Sequence, residues 1–130
     1  MPEDLIPEEI KHFLIENIDS IAELEGLLLL RSNPQELWSA DSLAQRLYTA
    51  HEQIESVLER LRSLGFLATR GDNPTTYFYN PRSTGLARTV DRIAEVYSKY
   101  LIAVTNLIHA KSETRIQEFA DAFKLRKKDG

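Results

Sequence analysis

Hydrophobic residues recur in the first third of the chain with the spacing of short amphipathic helices. After Pro7, a residue suited to the first turn of a helix, apolar side chains follow at intervals of three and four positions, namely Ile10, Phe13, Leu14 and Ile18. Ser20 and Glu23 have the spacing of a capping box at the start of a second apolar stretch. The pattern predicts one helix over about residues 7–17 and another over about 20–31, either separate or fused.

Residues 38–64 carry the pattern of two further helices joined by a tight turn. Residues 35–38 form either a small strand or a turn, and Ser39 or Asp41 is suited to cap a short helix that ends at Leu47. Tyr48 and Thr49 form the connection. The next helix extends from residue 50 to 64 and carries one apolar stripe, made of Ala50, Ile54, Val57, Leu58, Leu61 and Leu64.

Gly65 ends that helix, and the pattern then changes from helical spacing to that of two strands. Residues 66–70 and 76–80 are rich in aromatic and β-branched side chains, and the residues between them are the Gly, Asp, Asn and Pro of a turn. The sequence therefore predicts a β-hairpin directly after the second of the two helices.

A seven-residue hydrophobic repeat begins after residue 83. Its apolar positions step by four and three residues over about three repeats, at Leu86, Val90, Ile93, Tyr97, Tyr100, Val104 and Leu107. We expect one helix from residue 84 to about 127, which at ~1.5 Å per residue would be about 60 Å long. So long a stripe cannot be buried against so small a domain, which predicts that a second copy of the chain covers it and that these seven residues form the dimer interface.

Charge is distributed unevenly along the 130 residues. Residues 1–30 carry eight acidic side chains and one lysine, residues 31–82 carry six of each sign, and residues 83–130 carry nine basic and six acidic side chains. The chain contains no cysteine, which excludes disulfides and thiolate metal sites. The first residues are acidic where a secretory signal needs a basic segment, and no apolar run is long enough to cross a bilayer. We therefore expect a cytoplasmic protein with no membrane partner.

The order of these elements resembles winged-helix transcriptional regulators of the MarR and PadR kind. The resemblance is carried by residues 39–47 and by residues 54–67, which look like the recognition helix and its exit into the wing. It implies a mainly α fold with a small β-hairpin wing, a winged helix-turn-helix domain over residues 1–82 and a dimerisation helix over residues 83–130. The implied function is sequence-specific binding of double-stranded DNA by a homodimer, with bases or phosphates contacted by Thr49, His51, Gln53, Ser56, Arg60, Arg70, Asn73 and Thr75.

A second interpretation is a winged-helix module that binds another protein and no DNA. The outward face of the second helix carries three glutamates, Glu52, Glu55 and Glu59, and a glutamate facing a phosphate is repelled and releases no counterion. The acidic first third of the chain would likewise suit a basic partner. These observations leave both a DNA partner and a protein partner open.

Catalysis, cofactors and metals find little support in the sequence. No nucleophile–histidine–acid set and no glycine-rich phosphate loop can be assembled, so we expect no enzymatic activity and no cofactor. His12 with Glu16 and His109 with Glu113 have helical spacing, but two ligands do not make a metal site. The aromatic residues between Tyr77 and Tyr100 could line an effector pocket, although packing in the core accounts for them better.

Overall fold

A computed structural model describes residues 5–111 of the chain. Six helices and one antiparallel hairpin follow one another within that range. In chain order they are α1 (Glu8–Asn17), α2 (Ile21–Ser32), α3 (Ala40–Leu47), α4 (His51–Ser63), β1 (Leu67–Arg70), β2 (Thr76–Tyr79), α5 (Thr84–Lys99) and α6 (residues 101–111). The mainly α fold class with a β-hairpin is thus confirmed.

The first two helices are separate, because the chain between them is extended and capped. Ile18 has β-region dihedral angles, and the Ser20 hydroxyl accepts a hydrogen bond from the Glu23 amide at 3.2 Å. The Glu23 carboxylate accepts in turn from the Asp19 amide at 3.1 Å. Glu23 is only 5% exposed, so this carboxylate is fixed inside the fold rather than solvated.

Helices α3 and α4 pack on α2 and place one face of each in the core. Ser39, one of the two predicted caps, is the N-cap of α3 and forms a reciprocal capping box with Ser42. The apolar stripe of α4 is buried at four positions, Ile54, Val57, Leu58 and Leu61. In the same core the rings of Phe13 and Phe66 meet edge to face, with centroids 6.1 Å apart. The opposite face of α4 is left to solvent.

The hairpin follows α4 directly and has a fixed register. Leu67 pairs with Tyr79 and Arg70 pairs with Thr76, so the turn comprises residues 71–75. Trp38 adds a single bridge to the free edge, since its amide donates to the Tyr77 carbonyl at 2.9 Å and its carbonyl accepts from the Tyr77 amide at 2.7 Å. The chain before α3 therefore contains a turn, at residues 34 and 35, followed by a single β-bridge at Trp38.

The prediction of one continuous helix after residue 83 is wrong. Helix α5 ends at Lys99, Tyr100 has φ −129° and ψ 50°, and α6 begins at the next residue. The predicted residues beyond 111 lie outside the described part of the chain. A regular apolar repeat does not require a continuous helix, because two shorter helices can carry it in succession.

The prediction that only a second copy can cover the seam is also wrong. Five of its seven residues are buried within one chain and the other two, Leu86 and Tyr100, are partly buried. Val90, Ile93 and Val104 are at most 1% exposed. They belong to one core cluster with buried residues of α1 and α2. Polar contacts also join these segments, since Arg92 pairs with Glu9 at 2.9 Å and the Lys111 ammonium donates to the Ile18 carbonyl at 2.8 Å. Leu86 is partly buried against the same cluster. The seam is thus core, made of Leu86, Val90, Ile93, Tyr97, Tyr100, Val104 and Leu107.

Tyr97 shows how closely α5 is joined to α2. Its hydroxyl donates to the Glu25 carboxylate at 2.7 Å. Burial, together with that bond to a negative acceptor, raises the pKa of Tyr97 to about 12. None of the helices over residues 5–111 has the length and apolar character that crossing a membrane requires.

Candidate nucleic-acid interface

The solvent face of α4 and the tip of the hairpin meet on one side of the molecule. A cleft of about 210 Å³ lies between them, and its walls include His51 and Glu55 of α4, Asp41 of α3, and Pro74 and Thr75 of the hairpin turn. Two distant parts of the sequence are thus brought together at the first turn of α4.

The predicted contact residues are distributed over this surface with different exposure. His51, Gln53, Ser56, Arg70 and Asn73 are exposed. Thr49 and Thr75 are half-buried, and the Thr49 hydroxyl already donates to the Leu47 carbonyl at 3.1 Å. Seven of the eight predicted residues therefore lie on or beside the face that α4 and the hairpin tip form, and the eighth, Arg60, does not.

Arg60 points into the fold instead of out of it. Its Nε donates to Glu23 Oε1 at 3.0 Å, and its Nη2 donates to the Asn17 carbonyl at 2.8 Å and lies 3.2 Å from Asp19 Oδ2. Helical spacing placed Arg60 on the outward face of α4. A long guanidinium side chain can turn back over the helix, however, and here a buried glutamate draws it toward the α1–α2 connection.

His51 joins the starts of α3 and α4. Its Nδ1 lies 2.5 Å from Asp41 Oδ1, and its Nε2 lies 3.2 Å from Glu55 Oε2. The hydrogen bond that the ring donates to Asp41 is the largest cause of the raised pKa of His51, and Glu55 adds to it. With a carboxylate at each ring nitrogen, the site stabilises the imidazolium form, which offsets part of the negative charge at the first turn of α4 when His51 is protonated.

The three outward glutamates of α4 are not equivalent. Glu55 pairs with His51, and Glu59 accepts from the Arg62 guanidinium and, at 3.1 Å, from the Tyr77 hydroxyl. The hydrogen bond from Arg62 is the main reason that the pKa of Glu59 is lowered, so Glu59 is ionised but paired. Glu52 alone of the three has no hydrogen-bond or ion-pair partner among residues 5–111. The face is therefore less negative than the residue count indicates.

Comparison with known proteins shows which solved structures have this architecture. No family model matches the chain. A MarR mutant from E. coli superposes with a TM-score of 0.52 at 16% identity, over 93% of this chain and 85% of that one. A MepR mutant from S. aureus, solved with a bound oligodeoxyribonucleotide, gives 0.54 at 12% identity, over 95% and 88%. The fold is that of MarR-type winged-helix proteins.

A curated sequence relative is of a different kind. A UPF0761 membrane protein from Bordetella petrii is 34% identical to this chain over 74 residues, which is 57% of the chain. The chain spans only about a sixth of that relative, 16% of its length. This chain therefore has the fold of winged-helix proteins and also a sequence similar to one part of a longer membrane protein.

On this winged-helix fold, sequence reasoning missed two residues at the turn of the helix-turn-helix. Arg46 is exposed near the end of α3 and has no hydrogen-bond or ion-pair partner within the described part of the chain. Tyr48 follows it, in a left-handed backbone conformation and 96% exposed. Arg46 could have been found from its polar position on the short amphipathic helix, whereas nothing in the sequence signals the conformation of Tyr48.

Proposed function

We propose that this chain binds double-stranded DNA as a homodimeric, cytoplasmic transcription regulator without enzymatic activity. The observation that carries the proposal is the joint surface of α4 and the hairpin tip, where Arg70 has no acidic partner among residues 5–111. Arg46 lies at the end of α3 and Arg70 at the end of β1, and both are exposed. On this fold α4 is the helix that would enter the major groove, with the hairpin beside it on the backbone.

The chemistry of the surface residues suits both parts of such a contact. His51, Gln53 and Ser56 project from the first two turns of α4, where a recognition helix contacts base edges. Arg70 and Asn73 lie on the hairpin, with Thr49 and Thr75 at the rim of the surface, where donors to phosphate are needed. Arg60 has no part in this proposal, since its donors are used inside the fold.

The negative charge of the α4 face is the main objection to DNA binding, and ion pairs on α4 reduce that charge. Glu59 pairs with Arg62, and Glu55 lies 3.2 Å from His51, which neutralises it when the imidazole is protonated, so the net repulsion from this face is largest at Glu52. Exposed ion pairs offset charge only in part, because water and salt screen them. We therefore expect DNA binding that is weak on random sequence and strongly dependent on salt.

We also propose a homodimer, with an interface other than the heptad seam. With the heptad seam buried in the monomer, two adjacent exposed apolar side chains lie at the start of α6, where Leu101 is 49% and Ile102 is 66% exposed. Adjacent large apolar side chains in water are a common mark of an interface. We propose that α6 contacts a second copy through these two residues, so that two α4 helices can read paired half-sites.

A titration of labelled random-sequence duplex tests the proposed function. Fluorescence anisotropy at about 50 and about 200 mM salt covers the range in which phosphate contacts lose most of their affinity. Micromolar binding at the lower salt that falls steeply at the higher one is the expected result. Absence of binding at the lower salt would overturn the proposal.

A second candidate function is a winged-helix module that binds a basic segment of another protein. The match to part of a Bordetella petrii membrane protein favours this second function. In that relative the matched segment is about a sixth of a longer protein, which is an arrangement that suits an interaction module. The groove of about 380 Å³ beside α4 is lined by Glu52, Glu55, Glu59, Ser56 and Tyr77, which would suit lysine and arginine side chains.

A paired measurement separates the two candidates. If this chain is a protein-binding module, a lysine- and arginine-rich peptide binds it under conditions in which the duplex does not. Replacing Glu52 by glutamine then weakens the peptide complex, whereas the same change strengthens a DNA complex because it removes a charge that repels phosphate. The opposite signs make the result decisive even where both ligands bind weakly.

A further inference from the structure

Tyr48 has a backbone conformation that its own side chain disfavours. Its φ is 55° and its ψ is 44°, and it is the only residue other than glycine with positive φ among residues 5–111. Helices often end with one residue in this left-handed region, but that residue is usually glycine and sometimes asparagine. A bulky aromatic side chain there is an outlier that costs free energy.

The fold gains nothing from the ring in return. Tyr48 is 96% exposed, so the side chain makes almost no contact with the rest of the chain. The turn itself is held by backbone bonds, since the Thr49 amide donates to the Ala44 carbonyl at 3.0 Å and the Tyr48 amide donates to Gln45 at 3.4 Å. Those bonds would form equally well with glycine at the same position.

The place of Tyr48 indicates what the ring can reach. It lies between α3 and α4, two residues after exposed Arg46 and three before His51, where α4 begins. In a helix-turn-helix complex the first helix crosses the DNA backbone and the start of the second enters the groove, so the turn between them lies at a phosphate strand. A tyrosine hydroxyl is one of the donors that such phosphates accept.

We propose that Tyr48 is a DNA-contacting residue that donates its hydroxyl to a backbone phosphate from the α3–α4 turn, beside Arg46. This inference rests on the proposed function, because it assigns a residue to the same surface. It explains why a solvent-exposed aromatic residue occupies a left-handed backbone position that glycine would adopt with less strain. The strain is a cost to the free protein, and the contact in the complex is the gain.

Three variants test the assignment. Tyr48→Phe removes only the hydroxyl, Tyr48→Gly also removes the backbone strain, and Ile15→Ala is the control, at a residue 37% exposed on α1. We expect both Tyr48 variants to bind duplex about tenfold more weakly, which is the usual loss for one hydrogen bond to a charged group. We expect Tyr48→Gly to melt at a higher temperature than the unsubstituted chain.

The salt dependence adds a second criterion. A neutral phenol releases no counterion, so the slope of log affinity against log salt stays unchanged in Tyr48→Phe. Unchanged duplex affinity in both variants would overturn the inference and leave the proposed function standing. Weaker binding joined to a lower melting temperature would overturn it as well, because the ring would then act through the fold. Failure of the unsubstituted chain to bind would remove the proposed function and, with it, this inference.

Discussion

The imidazole of His51 and the carboxylate of Asp41 lie 2.5 Å apart, Nδ1 to Oδ1, and join the first turn of α4 to the first turn of α3. This contact links the two helices of the helix-turn-helix at the end that would approach DNA. It depends on protonation, because a carboxylate at each ring nitrogen favours the imidazolium.

We predict that this contact stabilises the protein at low pH and is lost at high pH. The folded-state pKa of His51 is raised above its ordinary value of 6.5. The unfolded state therefore binds fewer protons than the folded state between the two values, and the contribution is complete below pH 6.5 and lost as pH rises through the folded-state pKa. A titration of the His51 ring protons by NMR gives that value directly.

Asp41→Asn should lower the measured pKa of His51, since Asp41 is the largest cause of the shift. Asp72→Asn, at an exposed acid in the hairpin turn, is the matched control and should leave it unchanged. The same pKa of His51 in both variants would show that the contact does not form in solution.

Arg60 is predicted to stabilise the fold rather than to contact DNA. Arg60→Ala leaves the carboxylate of Glu23, whose side chain is 7% exposed, without its cation. We expect a loss of about 2 kcal/mol in the free energy of unfolding, reduced from the value for a fully buried pair because Arg60 is partly exposed. Urea denaturation measures it.

Arg62→Ala is the control on the same helix. It removes an exposed pair with Glu59, three residues away, and should cost much less stability than Arg60→Ala, because water screens an exposed pair. Equal losses in the two variants would mean that the network around Glu23 contributes no more to stability than a surface ion pair.

Glu52 should weaken DNA binding in the native protein. Glu52→Gln removes the one outward carboxylate of α4 that has no partner among the described residues, and we expect duplex affinity to rise about threefold. Glu16→Gln, exposed on α1, changes the net charge equally and should have little effect. An equal rise in both variants would indicate a response to net charge alone and not to this face.

Self-association should depend on the start of α6. We expect the double variant Leu101→Glu and Ile102→Glu to have a monomer mass by light scattering while the unsubstituted chain has a dimer mass. Both residues are exposed, so the change should leave the fold intact, as circular dichroism can verify. Leu37→Glu, at a residue 43% exposed before α3, is the control. A monomer mass for the unsubstituted chain would contradict the proposed dimer.

Much of this fold could be predicted from local patterns, and the misses have physical causes. Ser20 and Ser39 marked helix starts, and Gly65 marked the end of α4, because caps and turns depend on neighbouring residues only. The break at Tyr100 was missed because the heptad spacing continues across it. The burial of the heptad seam depends on packing between α1 and α5, and a local sequence pattern gives no information about such packing. The division at residues 82 and 83 stays a prediction.

The candidate site was predictable in outline and not in its charges. Helical spacing gave the outward face of α4, yet it could not show that Arg60 turns inward to Glu23 or that Glu59 pairs with Arg62. Those contacts depend on rotamers of long side chains and on residues up to 43 positions away, as with Asn17 and Arg60. The exposed ring of Tyr48 was missed for a related reason, since its backbone conformation is set by how α3 meets α4.

The salt dependence of duplex binding by two arginine variants tests most directly whether DNA contacts the surface of α4 and the hairpin. Arg70→Ala removes a cation at the end of β1, and Arg88→Ala removes an exposed one on α5. Each phosphate contact adds about −0.9 to the slope of log affinity against log salt. We predict that the slope becomes less negative by about that amount in Arg70→Ala and is unchanged in Arg88→Ala. An unchanged slope in Arg70→Ala, or an equal change in both variants, would contradict the proposed interface.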